Sequence, residues 1–306
     1  MQTNEEKFGR AVESGDVDRM KNILLEAPSL DVNGTIEGEI DGECGDFPFI
    51  LLAPDLATIR LLLDHGADPN ASDNSYREAG SATRLLQKWC RENDEVGALA
   101  VMELLLQRGA NPNLPEYGFR DVEFCLVIAV ELRDIKKVTL LLKHGADPDI
   151  VCTNDNTLQH PEQNVPPLIR RLLSSPMDEL DFRIAELLLE NGAEAKTFKT
   201  FENDYEGEEE SLTNFFLYKV PPLTKYDARA VKLLLKYGAC PYAMFEDQSS
   251  GIVGLRQRWD PLQEALDKQQ FKIASHLLKA RGVELEALKA VIESRKPRKR
   301  KRRKTL

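Results

Sequence analysis

One ten-residue phrase constrains this chain more than anything else in it. It reads LLLKHGADPD from Leu140 to Asp149, and it recurs as LLLDHGADPN from Leu61, LLLQRGANPN from Leu104, LLLENGAEAK from Leu187 and LLLKYGACPY from Leu233. Three consecutive leucines at the end of a helix cannot share one stripe, so they predict burial against more than one neighbour. The glycine after two intervening residues suits the left-handed position that closes a helix. A proline three residues further on cannot continue the helix, and the flanking Asp and Asn favour a turn. Five copies of such a phrase predict a repeat protein.

Successive copies begin 43, 36, 47 and 46 residues apart, an interval that indicates stacked helical units. The phrase resembles the second helix and exit of an ankyrin repeat. The opening T-P-L-H-x-A of that family survives in part at Trp259-Asp260-Pro261-Leu262-Gln263-Glu264-Ala265, at Phe47-Pro48-Phe49 and at Val165-Pro166-Pro167-Leu168. The resemblance implies an all-α solenoid of six to seven helix-turn-helix repeats. Every interval exceeds the roughly 33 residues of that family, so insertions are expected between or within repeats.

The domain expectation is an array over 1–294, with atypical capping repeats at 5–33 and 260–294, followed by a disordered basic tail at 295–306. In the first cap, Phe8, Ala11 and Val12 line one helix, Ser14-Gly15-Asp16 breaks it, and Val17, Met20, Ile23 and Leu24 form a second. The regular fourth repeat predicts helices over 121–132 and 135–144 around Arg133-Asp134. In the fifth, Asp181 is a candidate N-cap for 181–191. Enlarged loops are expected at 34–46, 71–80, 114–120, 150–164, 197–210 and 243–258, the first of them a glycine-rich finger.

Charge divides the chain. The net charge is −10, yet Arg295 to Lys304 holds nine basic residues and no acid, so the remainder carries −19. The run Lys296-Pro297-Arg298-Lys299-Arg300-Lys301-Arg302-Arg303-Lys304 resembles a monopartite nuclear import signal. The same charges would meet nucleic-acid phosphates through counterion release. The tail has no aromatic residue for base recognition, and an acidic body repels DNA. Residues 202–210 form an acidic stretch around Tyr205, suited to a basic partner or to the chain's own tail.

Little else points to chemistry. Cys44, Cys90, Cys125, Cys152 and Cys240 are odd in number and lack CxxC spacing, which predicts reduced thiols and not a disulfide framework. No secretory leader, and no apolar run long enough for a membrane span, is visible. His65 and His144 share one slot of the phrase and read as repeat elements, while His160 and His276 lie apart from any cysteine cluster. No zinc spacing, P-loop, GxGxxG or GxSxG is present. No catalytic residue, metal ligand or cofactor is therefore expected, and the chain is not expected to be an enzyme.

Ankyrin arrays are known as binding platforms, which implies a protein-interaction scaffold using its concave face and long loops. The aromatic residues Tyr76, Tyr117, Phe119, Phe201, Tyr205, Tyr242 and Phe245 on those loops are the candidate partner contacts. The expected partners are a nuclear, basic protein and an import receptor, with nucleic acid as the alternative and no membrane. The expected setting is a monomer in the nucleus with a cytoplasmic pool. A host regulator and a bacterial effector both fit.

Overall fold

The computed structural model describes residues 2–40, 43–72, 84–93, 95–117, 122–152, 166–168, 171, 177–195, 197–202, 205–211, 225–242, 245–247 and 257–282. These residues are mostly helical, with strand confined to four two-stranded sheets. The chain divides into two compact units, Met1–Arg171 with Arg183–Ala193 and Thr200–Gly207, and Leu172–Phe182 with Glu194–Lys199 and Glu208–Leu306.

In the first unit the helices come in successive pairs: α1 (Asn4–Glu13) and α2 (Val17–Glu26), α3 (Phe49–Leu52) and α4 (Leu56–Asp64), α5 (Leu85–Arg91) and α6 (Glu95–Gln107), α7 (Cys125–Glu131) and α8 (Ile135–Lys143). First helices stack on first helices, α1 on α3 and α5 on α7, and second helices run on from α2 to α4, α6 and α8. The core lies between the two rows. Phe8 of α1 meets Phe49 of α3 edge-on, with centroids 5.4 Å apart.

The phrase explains the regularity. Its middle leucine, at Leu62, Leu105, Leu141, Leu188 and Leu234, is at most 1% exposed in all five copies, and each such burial contributes about 1.5–3 kcal/mol. The carbonyl of that leucine accepts from the alanine N–H five residues on: Ala67, Ala110, Ala146, Ala193 and Ala239, at 2.9–3.0 Å. The intervening glycines Gly66, Gly109, Gly145, Gly192 and Gly238 hold φ of 83–99°. This is the Schellman closure, with glycine in the left-handed position.

Second helices begin as regularly as they end. Asp16, Asp55 and Asp134 cap α2, α4 and α8 by accepting from backbone N–H groups of the first turn. For α9 (Glu179–Glu190) the cap is Asp178, not Asp181 as the sequence suggests. Asp178 Oδ1 accepts from the N–H groups of Leu180 and Asp181, while Asp181 returns a carboxylate to the Asp178 N–H at 3.2 Å. The two carboxylates form a reciprocal box in which Asp181 holds the inner position.

The expected loops are largely hairpins. Of residues 34–46, 35–40 form β1 (Thr35–Ile40) and 43–46 belong to β2 (Glu43–Pro48), antiparallel with Ile36 opposite Phe47 and Glu37 opposite Asp46, while 41–42 lie outside the described residues. This finger is bound to the core: Ile36 lies so close over Gly9 of α1 that a Cβ there would stand 2.6 Å from its Cδ1, and Gly38 faces Leu52 of α3. Residues 114–120 contribute β3 (Glu116–Tyr117), which pairs with β4 (Val122–Glu123), so the helix expected from 121 starts only at Cys125. Residues 197–202 and 205–210 lie in β5 (Thr197–Glu202) and β6 (Tyr205–Ser211), and 243–258 contribute to β7 (Phe245–Asp247) and β8 (Gln257–Trp259). Within 71–80, Ser72 bridges to Arg84, and 73–80 lie outside the described residues. The hairpins β1–β2, β3–β4 and β7–β8 lead directly into α3, α7 and the helix that starts at Pro261.

In the second unit α10 (Lys225–Lys236) packs on α12 (Phe271–Ala280), which packs on α11 (Pro261–Asp267). Residues 153–165, 212–220 and 283–306, with the expected helix 212–219 and the basic tail, lie outside the described residues.

Candidate interaction surface

Helix pairs are held to one another by side chains reaching across the exit turns. Asn33, Asn70 and Asn113 each donate from Nδ2 to the phrase glycine of the next pair, Gly66, Gly109 and Gly145, at 2.9–3.3 Å. Each accepts at Oδ1 from a backbone N–H two residues beyond that glycine, at Asp68, Asn111 and Asp147, at 2.7–2.8 Å. Asp31, Asp68, Asn111 and Asp147 in turn accept from the N–H two residues ahead, at Asn33, Asn70, Asn113 and Asp149. The two polar residues flanking the phrase proline therefore have separate tasks: one shapes its own turn, the other stitches it to the next.

Two lysines do the same for first helices. Lys88 of α5 donates to the Leu51 carbonyl at the end of α3 at 2.9 Å. Lys137 of α8, 3% exposed, donates to the Cys90 and Glu92 carbonyls at the end of α5, each at 2.8 Å, with Asp134 3.7 Å away. A cation at a helix C-terminus meets the partial negative charge of the last carbonyls.

The hairpin β3–β4 is anchored by charge. Glu116 and Glu123 are directly opposite in its register, and Arg91 of α5 reaches both carboxylates at 2.5 Å. Burial pushes the Glu116 carboxyl above its ordinary range, and the Arg91 guanidinium opposes that shift. For Arg91, burial works against the charge, and the hydrogen bonds and charges of Glu116 and Glu123 more than offset it.

The candidate contact aromatics fall on separate elements. Tyr117 lies in β3, Phe201 in β5, Tyr205 opens β6 and Phe245 opens β7 opposite Trp259, so these positions are strand and not loop. Tyr76 and Phe119 lie outside the described residues, as does the whole import-like run from Lys296 to Lys304. Tyr242 is 54% exposed but engaged: its hydroxyl donates to the Arg281 carbonyl at 3.3 Å, and the Arg281 guanidinium sits 4.7 Å from its ring centroid. Arg281 donates to the Pro241 carbonyl at 2.7 and 3.0 Å and pairs bidentately with Asp260. The arginine holds Asp260 below the ordinary carboxylate range. Tyr242 is thus held by Arg281 while about half of its surface stays exposed. Sequence reasoning missed this arrangement because its members are 21 and 40 residues apart.

The histidine slot has a structural use. His65 Nδ1 lies 2.8 Å from the Leu61 carbonyl, which only accepts, so this nitrogen carries the proton. Asn191, in the same slot, donates to the Leu187 carbonyl. Cys90 and Cys125 are fully buried free thiols that donate to the Cys125 and Leu86 carbonyls. Burial pushes the Cys125 thiol up, and the neighbouring Cys90 adds to the shift, which makes it a poor nucleophile. Among the described residues no group of three His, Cys, Asp or Glu is placed to hold a metal ion, and no helix is long and apolar enough to cross a membrane.

Sequence reasoning also passed over Leu25, which is 77% exposed. The signal was available. Counted from the aspartate caps, Leu25 stands where α4 has Asp64 and α8 has Lys143, and the same phrase position holds Gln107, Glu190 and Lys236.

The described residues thus form stacked helix pairs joined by turns and two-stranded hairpins, mostly helical and with no assembled catalytic centre among them. Neither the family models nor the curated proteins compared with this chain include a match to it.

Proposed function

We propose that the chain is a divergent ankyrin-repeat array that binds a partner protein in the nucleus, with the basic run Lys296 to Lys304 as its address. The observation that carries this reading is the recurrent stitch from Asn33, Asn70 and Asn113 to the following turn. It gives a rigid row of turns and hairpins from sequence units that differ widely in length. Rigidity lowers the ordering cost of binding, which favours a recognition surface built from stacked units. The candidate contacts of this reading are Tyr76, Tyr117, Phe119, Phe201, Tyr205, Tyr242 and Phe245, of which Tyr242 is 54% exposed; no catalytic role belongs to it.

The nine positive charges of the tail favour a second reading, in which residues 295–306 contact nucleic-acid phosphates. One experiment separates the two. Full-length protein and a chain ending at Ser294 are used to capture partners from nuclear extract at two salt concentrations, and both are localised as fluorescent fusions. Under the first reading the same protein is retained by both chains at the higher salt, and only nuclear accumulation is lost with the tail. Loss of capture with the tail, and salt-labile nucleic acid in the bound fraction, would establish the second.

A further inference from the structure

In the second unit α10 and α12 pack side by side, and the face they turn to solvent is basic in a chain whose net charge is −10. Leu234 of α10 and Leu277 of α12 are 1% and 0% exposed and point into the core. At 3.6 residues per turn, the positions five before, two before and two after such a residue lie within about 40° of the opposite, outward direction. Counted from Ile23, Leu62, Leu105, Leu141 and Leu188, those positions in the earlier second helices hold five acids (Asp18, Asp64, Glu103, Glu186 and Glu190) and five bases, so their charges balance. In α10 and α12 they are Arg229, Lys232, Lys236, Lys272, Ser275 and Lys279: five bases and no acid.

We propose that Lys232, Lys236, Lys272 and Lys279 hold the phosphate backbone of a nucleic-acid duplex, at a site on the folded body separate from the tail. This rests on the phosphate-contacting reading above for its class of ligand, and it adds a place on the fold to that reading.

The cations are available. Arg229 is engaged, paired through both terminal nitrogens with Glu179 and 4.1 Å from the Phe182 ring centroid. The four lysines are exposed, and none of them forms an ion pair with a described residue. Lys236 lies 4.9 Å from the ring centroid of Tyr237. Acids of the same unit are committed elsewhere: Glu179 to Arg229, Asp260 to Arg281, and Asp267 to the Gln263 amide. Like charges one turn apart, as Lys232 and Lys236 are, destabilise a helix, and a bound polyanion removes that repulsion.

The two helices also act on one point. His276 of α12 is half-buried; burial lowers its proton affinity, and Lys232 from α10 and Lys279 from its own helix lower it further. No described carboxylate offsets them there. A positive potential gathered from two elements attracts anions. Charges more than roughly 8 Å away are screened at physiological salt, so the acidic remainder of the chain does not cancel it.

The choice of a duplex follows from the kind and spacing of the charges. An ammonium is a point charge that binds phosphate without the planar fork that matches a carboxylate. Lysines one and two helical turns apart on adjacent helices suit the regular charge of a phosphate strand. The chain continues beyond α12 to nine basic residues between Arg295 and Lys304, so one long polyanion can engage face and tail together. Phosphate contacts carry no sequence information, and the binding is therefore sequence-independent.

The test is fluorescence anisotropy of a labelled mixed-sequence DNA duplex, titrated with the full chain over a series of salt concentrations. The tail is present in every variant. Lys232→Gln with Lys279→Gln is expected to weaken binding at least several-fold and to reduce the slope of log affinity against log salt by about 2. Lys232→Arg with Lys279→Arg keeps the charge and should bind as the parent does, which separates loss of charge from damage to the fold. Arg60→Gln with Lys143→Gln removes two exposed cations of the first unit and should leave the slope near the parent's. An unchanged slope in the glutamine pair at Lys232 and Lys279, an equal fall in the pair at Arg60 and Lys143, or failure of the arginine pair overturns the proposal and leaves the tail reading standing. Absence of duplex binding by the parent at low salt overturns both. Competition by a poly-glutamate peptide as effective as that by unlabelled duplex would also overturn it, by making an acidic protein segment the occupant.

Discussion

Asn70 and Asn111, 41 residues apart, are joined by a 2.7 Å hydrogen bond from the Asn111 backbone N–H to the Asn70 side-chain oxygen. The same Asn70 side chain donates to Gly109, so one amide fastens two points of the following turn. The contact is equivalent to those of Asn33 and Asn113, and it makes each turn a template for the next.

Removing that amide is expected to loosen the stack without touching the core. Asn70→Ala loses two neutral hydrogen bonds, a cost of about 1–2 kcal/mol. Asn70→Asp keeps the acceptor but sets a carboxylate against the Gly109 carbonyl, and should fall at least as far. Urea denaturation measures both, and a variant as stable as the parent would show that the stitch contributes nothing net.

Lys137 is a stronger test because its cation is buried. Lys137→Met preserves the length of the side chain but strands the carbonyls of Cys90 and Glu92. A loss of about 2–3 kcal/mol is expected, with amide exchange rising first around the end of α5. Uniform exchange throughout the unit would argue against a local capping role.

The buried carboxyl of Glu116 gives a pH dependence of defined sign. Its folded value is raised, mainly by burial, so protonation favours the folded state. The stabilisation it confers is complete below the ordinary carboxylate value and is lost as pH rises through the raised one. Glu116→Gln removes the titration. Stability of the parent relative to this variant should therefore decline with rising pH between the carboxylate range and neutrality, with Glu123 still holding Arg91. A parallel pair of stability curves would refute the assignment.

Asp260 should behave in the opposite way. Arg281 depresses its carboxyl, so its stabilisation is present above the ordinary carboxylate value and disappears as pH falls through the depressed one. Asp260→Asn should erase that acid-side loss. It should also free Arg281 from half of its anchorage, which the fluorescence of Tyr242 and limited proteolysis near residue 242 would both register.

Much of this architecture is written locally. The helix ends are legible because glycine closure and aspartate capping depend on residues a few positions apart, and the boundaries at Ser14-Gly15-Asp16 and Arg133-Asp134 follow from that chemistry. The candidate surface was less legible. Tyr242 is marked by its type, but nothing near it in sequence announces Asp260 or Arg281. Even a cap can mislead: Asp178 and Asp181 both offer a carboxylate to the same turn, and the sequence alone leaves either as the first residue outside the helix.

What the sequence by itself determined is the helix end: the aspartate cap, the glycine exit and the polar turn, all set by short-range sterics and hydrogen bonding. Tertiary structure decided the rest. The segment 34–48 carries glycines and acids with little strand patterning, and it becomes a hairpin because Ile36 lies over Gly9 and Gly38 over Leu52. Likewise Glu116 and Glu123, like charges set opposite each other, are tolerable as strand partners only because Arg91 arrives from α5. Contacts between residues tens of positions apart carry no local signature, since the free energy that selects them comes from burial and charge pairing that exist only after the helix pairs have stacked.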